Sequence, residues 1–314
     1  MLYNLLGGTG ISVSRVCFGT LVLGPLQKDL PLSEGAGLLC YAADRGINFF
    51  DTAQLYETYV YIKELLKYKS DSVISTKSYA YDAKTAEDSL TQALKETGRD
   101  YIDVFMLHEQ ESELTVKGHY EAIEYYLRQK EKGVIRAIGL STHHIAAVRA
   151  AVKYPELEII HPIFNIGGLG IVDGTAADME TAVTQAHGAG KGIFTMKPLG
   201  GGHLIHSRLE AIGYLLSKPY IHSTAIGMQS AEEVDYNISA FGGEPISREL
   251  RDSTLRAGKK LHIADWCTGC GACVSRCATG ALEIRAGKSA VDNARCVLCG
   301  YCASACKEAC IKVF

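Results

Sequence analysis

The chain has 314 residues, 47% of them apolar and 21% charged, with a net charge near −3. That length suits one large domain plus a small one, and the charge balance gives no reason to expect nucleic acid or an anionic membrane surface as a partner. No apolar run approaches the roughly 18 residues of a membrane span, and the first residues lack the basic and apolar regions of a signal peptide. A soluble protein that does not enter a membrane is therefore expected.

From Arg15 to about Ala240, short β-branched runs alternate with longer amphipathic stretches. The pattern predicts strands over 16–19, 47–50, 72–76, 102–107, 137–140, 157–160, 192–196 and 223–226. Helices are expected between them, among others over 33–45, 85–97, 116–132, 177–189 and 231–239. Strand-then-helix units imply parallel strands joined by helical crossovers, and eight such units match a closed (β/α)8 TIM barrel. An open, doubly wound sheet is the rival, but no G-x-G-x-x-G follows the first strand.

Four residues fall just past strand ends, where barrel enzymes keep their chemistry. Asp51 and Tyr56 lie in the run Asp51-Thr52-Ala53-Gln54-Leu55-Tyr56, Lys77 closes Ser75-Thr76-Lys77, and His108 closes Met106-Leu107-His108. A free tyrosine, with a pKa near 10, is a poor acid at neutrality. A neighbouring ammonium is expected to lower that value, with Asp51 holding Lys77 in place and charged and His108 orienting a carbonyl oxygen. His143 and His144, at the start of the helix after the fifth strand, read as solvated first-turn residues. Cys17 and Cys40 read as core thiols, and Tyr59 and Tyr61 as pocket-lining residues beside Tyr56 or, equally, as helix-surface or core residues.

After a connection with one helix around 247–258, the chain turns to cysteine. Of eleven cysteines, eight form two C-x2-C-x2-C-x3-C combs: Cys267, Cys270, Cys273, Cys277 and then Cys296, Cys299, Cys302, Cys306. This spacing suits cubane iron–sulfur clusters better than structural zinc or a disulfide scaffold, and thiolates argue for a reducing cytoplasm. The segment is an internal repeat, Gly271 matching Gly300 and Leu282 matching Ile311. Cys310 falls where the first half has Ala281 and reads as a small buried residue.

At these residues the chain resembles the aldo/keto reductase superfamily, in the subgroup fused to a two-cluster, bacterial-ferredoxin-like α+β domain. The D-T-A-x-x-Y run, the strand-ending lysine and the Leu-His pair stand in order. The likeness continues through Gly139–Thr142, Phe164-Asn165, Lys197–Gly202 and Ile226-Gly227. It implies three segments: a barrel over 1–245, a connection over 246–262 and a domain carrying two [4Fe–4S] clusters over 263–314. It also implies a catalytic tetrad of Asp51, Tyr56, Lys77 and His108.

The same resemblance implies a bound NAD(P)H that gives hydride to a small carbonyl substrate or takes it from an alcohol. Ser141 and Asn165 would hold the carboxamide, with the loop Gly200–Gly202 and Lys197 near the pyrophosphate, Asn237 at the adenine, and Leu199 and Gly227 among the other cofactor contacts. Glu233 stands where NADP-preferring members often carry arginine, which favours NADH. Met196, Lys197 and His161 replace the usual aromatic residue, serine and glutamine.

In two-cluster ferredoxins the fourth cysteine of each comb serves the other cluster. One cluster would then sit on Cys267, Cys270, Cys273 and Cys306, the other on Cys296, Cys299, Cys302 and Cys277. Clusters pass single electrons whereas nicotinamide transfers hydride. Four alternatives therefore stay open: clusters that are structural or serve docking, a flavin in the barrel, a cluster-fed reductase without nicotinamide, and a ferredoxin-like electron carrier that serves a redox partner protein from a degenerate barrel.

Overall fold

A computed structural model describes residues 1–255, 260–308 and 310–313. Strands β1 (Tyr3–Leu5) and β2 (Ser12–Ser14) form an antiparallel hairpin. There follow β3 (Val16–Gly19), β4 (Phe49–Asp51), β5 (Val73–Ser78), β6 (Ile102–Leu107), β7 (Ile135–Thr142), β8 (Ile159–Pro162), β9 (Gly192–Met196) and β10 (Ser223–Ile226). These last eight are all parallel and close into a barrel, β10 pairing back onto β3. The expected barrel is found, each strand within a few residues of its expected place. Among the described residues no helix is long and apolar enough to cross a membrane.

Alternation along the strands divides two cores, because successive side chains point to opposite faces. Cys17, Phe49, Val73, Val104, Ile159 and Phe194 pack inside the barrel, where Leu6, Ile11 and Val13 of the β1–β2 hairpin join them. Phe18, Phe50, Ile74, Phe105 and Ile160 face outward and meet the helices. Tyr59 and Tyr61 belong to that outer core, on a helix over Tyr59–Tyr68. The helix expected over 116–132 is interrupted at His119, giving Glu113–Gly118 and Tyr120–Glu131. The helix expected over 247–258 is Arg248–Leu255, and 256–258 lie outside the described residues.

Beyond the barrel, β11 (Leu261–Ile263) pairs antiparallel with a strand over Ile311–Val313. Residues 261 and 262, expected in the connection, thus take part in that clasp. Strands β12 (Leu282–Arg285) and β13 (Lys288–Val291) form a hairpin. The repeat is visible in the backbone. Gly271 and Gly300 both take a left-handed conformation, φ 81° and 80°, just before helices Ala272–Arg276 and Tyr301–Ser304. The cysteine-rich segment has its own apolar cluster, containing Leu282, Ile311, Val313 and most of the cysteines. A second small cluster, Leu26, Ala53, Tyr56 and Tyr301 with Cys299 against it, joins segment to barrel.

Candidate active site

Strand β4 ends at Asp51 and β5 carries Lys77 near its end, so parallel register brings the two side chains together. Lys77 Nζ donates to both Asp51 carboxylate oxygens, at 2.8 and 2.7 Å, and to the Thr52 carbonyl at 2.8 Å. Both side chains are almost wholly buried. Burial lowers the Lys77 pKa while Asp51 works against that fall. Tyr56, on a short 3-10 turn after β4, lies with its ring 5.0 Å from Lys77 Nζ. His108 sits edge-on to Tyr56, its ring centroid 5.7 Å away. The four residues expected to act together are therefore in one place.

Their electrostatics differ from expectation at Tyr56. Its pKa is raised well above the ordinary tyrosine value, first by burial and then by the Asp51 charge. The ammonium does not depress it, because Lys77 is clamped by the carboxylate that repels a phenolate. His108 is driven well below its usual value, by burial first and then by Lys77, and its buried Nδ1 has no hydrogen-bond partner among the described residues. Both Tyr56 and His108 are thus neutral at pH 7.

An open groove runs from this cluster across the barrel rim. Asp51, Tyr56, His161, Met196, Lys197, Leu199, Gly227, Glu233 and Asn237 line it. Of the expected glycine loop, Gly201 and Gly202 stand on the wall, whereas Gly200 is buried and does not. Ser141 and Asn165 are not on that wall. Ser141 Oγ accepts the Glu109 amide at 2.9 Å, and Asn165 Nδ2 donates to the Leu169 carbonyl at 2.9 Å, so both side chains fasten rim loops. Glu233 accepts the Gln229 amide at 2.7 Å. His161 Nδ1 meets the Phe194 carbonyl at 2.7 Å and its Nε2 lies 3.7 Å from Asp51.

His143 is not solvated. It is buried, with Nε2 3.0 Å from Lys197 Nζ, because the loop after β7 turns inward over the rim. Sequence reasoning also missed Arg208, Val297, Leu298 and Cys299, all on the groove wall. A lone arginine in a helix carries no signal, and the other three reach the groove only because the cysteine-rich segment docks there. Gly201 makes that docking close: it adopts φ 71°, and a Cβ there would collide with the Val297 carbonyl. Gln27 Nε2 adds a hydrogen bond to the Leu298 carbonyl at 3.3 Å.

The cysteines surround two smaller cavities. Cys267, Cys270, Cys273 and Cys306 line one, together with Cys310; Cys277, Cys296, Cys299 and Cys302 line the other. Cys310 is buried as expected, with its sulfur 3.2 Å from that of Cys306. Among the described residues no three His, Cys, Asp or Glu side chains are drawn together as around a metal ion. Cys17 is fully buried and Cys40 partly so.

Residues 15–212 match the Aldo/keto reductase family. The chain belongs to that family and is an oxidoreductase. Among its relatives is the L-galactose dehydrogenase of Arabidopsis thaliana, 23% identical over 278 residues, covering 75% of this chain and 86% of the relative. The NADH-specific methylglyoxal reductase of Escherichia coli is 26% identical over 189 residues, covering 51% and 58%. A solved aldo-keto reductase from Bacillus halodurans in its holo form superposes with a TM-score of 0.66 at 19% identity, covering 82% of this chain and 96% of that one. That likeness is one of fold. The cysteine combs lie beyond the residues that match the family.

Proposed function

We propose that this aldo/keto reductase interconverts a small carbonyl compound and its alcohol, with Tyr56 as general acid and base. The observation that carries the reading is the buried Lys77–Asp51 pair beneath the Tyr56 ring, beside His108 and at the end of a groove. Tyr56 gives its proton to the substrate oxygen during reduction and recovers it during oxidation. Asp51 keeps Lys77 in place beneath the Tyr56 ring, and the buried, neutral phenol holds its proton until the substrate oxygen takes it. Neutral His108 presents Nε2 to the same oxygen and orients it.

NADH suits the groove. Lys197, Gly201, Gly202 and Arg208 offer cations and open backbone for a pyrophosphate at the loop after β9, the usual phosphate side of such barrels. Asn237 is placed for the adenine, and Glu233 disfavours a 2′-phosphate. When bound, NADH supplies the hydride. Relatives named for L-galactose and for NADH-specific methylglyoxal reduction agree with small hydroxy and carbonyl compounds as the substrate class.

We assign the residues beyond 263 two [4Fe–4S] clusters, which would supply single electrons. The support is the composition of the two cavities, each lined by the first three cysteines of one comb and the fourth of the other. Because Cys299 lines the main groove as well as a cysteine cavity, cluster-fed reduction without nicotinamide is the second reading. Calorimetric titration of NADH and NADPH into anaerobically purified protein separates the two. Saturable NADH binding, together with turnover lost in Tyr56→Phe, is expected from the first reading. Turnover with a reduced one-electron donor and no nucleotide binding would replace it with the second.

A further inference from the structure

Tyr301 of the cysteine-rich segment reaches into the barrel site. It lies between Cys299 and Cys302 in sequence, yet its side chain is buried against Leu26, Ala53 and Tyr56. Its hydroxyl is 3.2 Å from the Tyr56 hydroxyl and 3.3 Å from His108 Nε2. Those are the two groups that must grip a substrate oxygen if Tyr56 is to pass it a proton. A phenolic oxygen in that position has the same hydrogen-bonding capacity as an alcohol product. Two cations frame its ring, Lys197 Nζ at 5.2 Å and Arg276 Cζ at 5.4 Å from the centroid. The ring runs roughly parallel to that of Tyr56, centroids 6.5 Å apart.

We infer that the Tyr301 hydroxyl holds the place of the substrate oxygen in the resting enzyme, and that a substrate enters only by displacing it. This rests on the reading of Tyr56 as the proton donor. Tyr301 is then a specificity-determining residue supplied by the cysteine-rich segment. It selects compounds whose oxygen competes for Tyr56 and His108 and whose body fits beside, or instead of, a phenol ring. The turn carrying Cys299 and Cys302 must yield by the same movement, so admission of substrate is tied to the integrity of that comb.

The test compares wild type, Tyr301→Phe and Tyr301→Ala as intact, anaerobically purified proteins, with 4-nitrobenzaldehyde as probe. Its dissociation constant is measured by calorimetry without nucleotide, and its KM and kcat with NADH. Removing the hydroxyl takes away two competing hydrogen bonds, so Tyr301→Phe should bind the aldehyde about tenfold more tightly and lower KM similarly. Tyr301→Ala should bind it more tightly still. A fall in kcat with KM unchanged would make Tyr301 a proton-handling residue and overturn the inference. Equal or absent aldehyde binding in wild type and Tyr301→Phe would overturn it as well. Should Tyr301→Ala fail to fold, the phenylalanine variant decides alone. Because the calorimetry uses no nucleotide, failure of the nicotinamide reading leaves this result interpretable.

Discussion

Arg276 and Glu109 join the cysteine-rich segment to the barrel. The guanidinium, just before the last cysteine of the first comb, donates from Nη2 to Glu109 Oε2 at 3.0 Å. The same nitrogen reaches the Tyr79 hydroxyl at 2.6 Å, and the Tyr79 ring stacks on His108 with centroids 4.6 Å apart. A chain of contacts thus runs from a cysteine comb to the ring beside Tyr56.

Arg276→Met should loosen that junction while leaving the barrel folded. Hydrogen bonds to charged groups contribute roughly 1.5–3 kcal/mol when dry, and the partial exposure of this pair places the loss at about 1 kcal/mol. Limited proteolysis is the measurement: cleavage near residues 246–262 should quicken several-fold, with unchanged far-ultraviolet circular dichroism of the surviving barrel.

Asp51→Asn should cost much more. The substitution leaves a buried lysine without its counter-charge, and breaking such a pair typically destabilises by about 3–5 kcal/mol. Urea unfolding should show a loss of that order. Turnover should fall at least a hundredfold, since proton transfer by a positioned group contributes on that scale.

Acid should destabilise the barrel through His161. Burial pushes its pKa down to about 4, against the attraction of Asp51 and with added repulsion from Lys77 and Lys197. The unfolded state therefore binds a proton at higher pH than the folded state does. Stability is fully present above about pH 6.5 and declines as pH falls toward 4, by up to about 1.4 kcal/mol per pH unit. Urea midpoints measured at intervals over that range should fall less steeply for His161→Gln than for wild type.

Cys277→Ser examines the exchange of ligands between combs. If each fourth cysteine serves the other comb, the variant should lose about half its iron, and the loss should come from the site of Cys296, Cys299 and Cys302. Combining Cys277→Ser with Cys296→Ser should then remove no more iron than either alone. An additive loss would mean that each comb binds its own cluster.

Much of this was legible in the sequence because the barrel strands are short, β-branched and regularly spaced, and because strand ends in a barrel converge on one rim. Asp51, Tyr56, Lys77 and His108 could be found that way. Tyr301 could not: a tyrosine between two cysteines gives no sign of which neighbour it will reach, and only docking of the segment aims it at Tyr56. His143 was misjudged for a related reason, since helix-start positions are usually wet and the inward turn toward Lys197 is a tertiary effect. The direction of the Tyr56 shift also lay beyond sequence, because it depends first on the burial of the ring and then on the Asp51 charge beside it.

The contact of Gly201 with Val297 has a thermodynamic corollary. The glycine loop borders the groove on one side and a residue between Cys296 and Cys299 on the other. Whatever free energy a groove ligand gains from an ordered 296–299 turn must return as added stability of that turn when the ligand is bound. Nucleotide should therefore protect the second comb from chelators and oxygen, and damage to the comb should weaken nucleotide binding by the same factor.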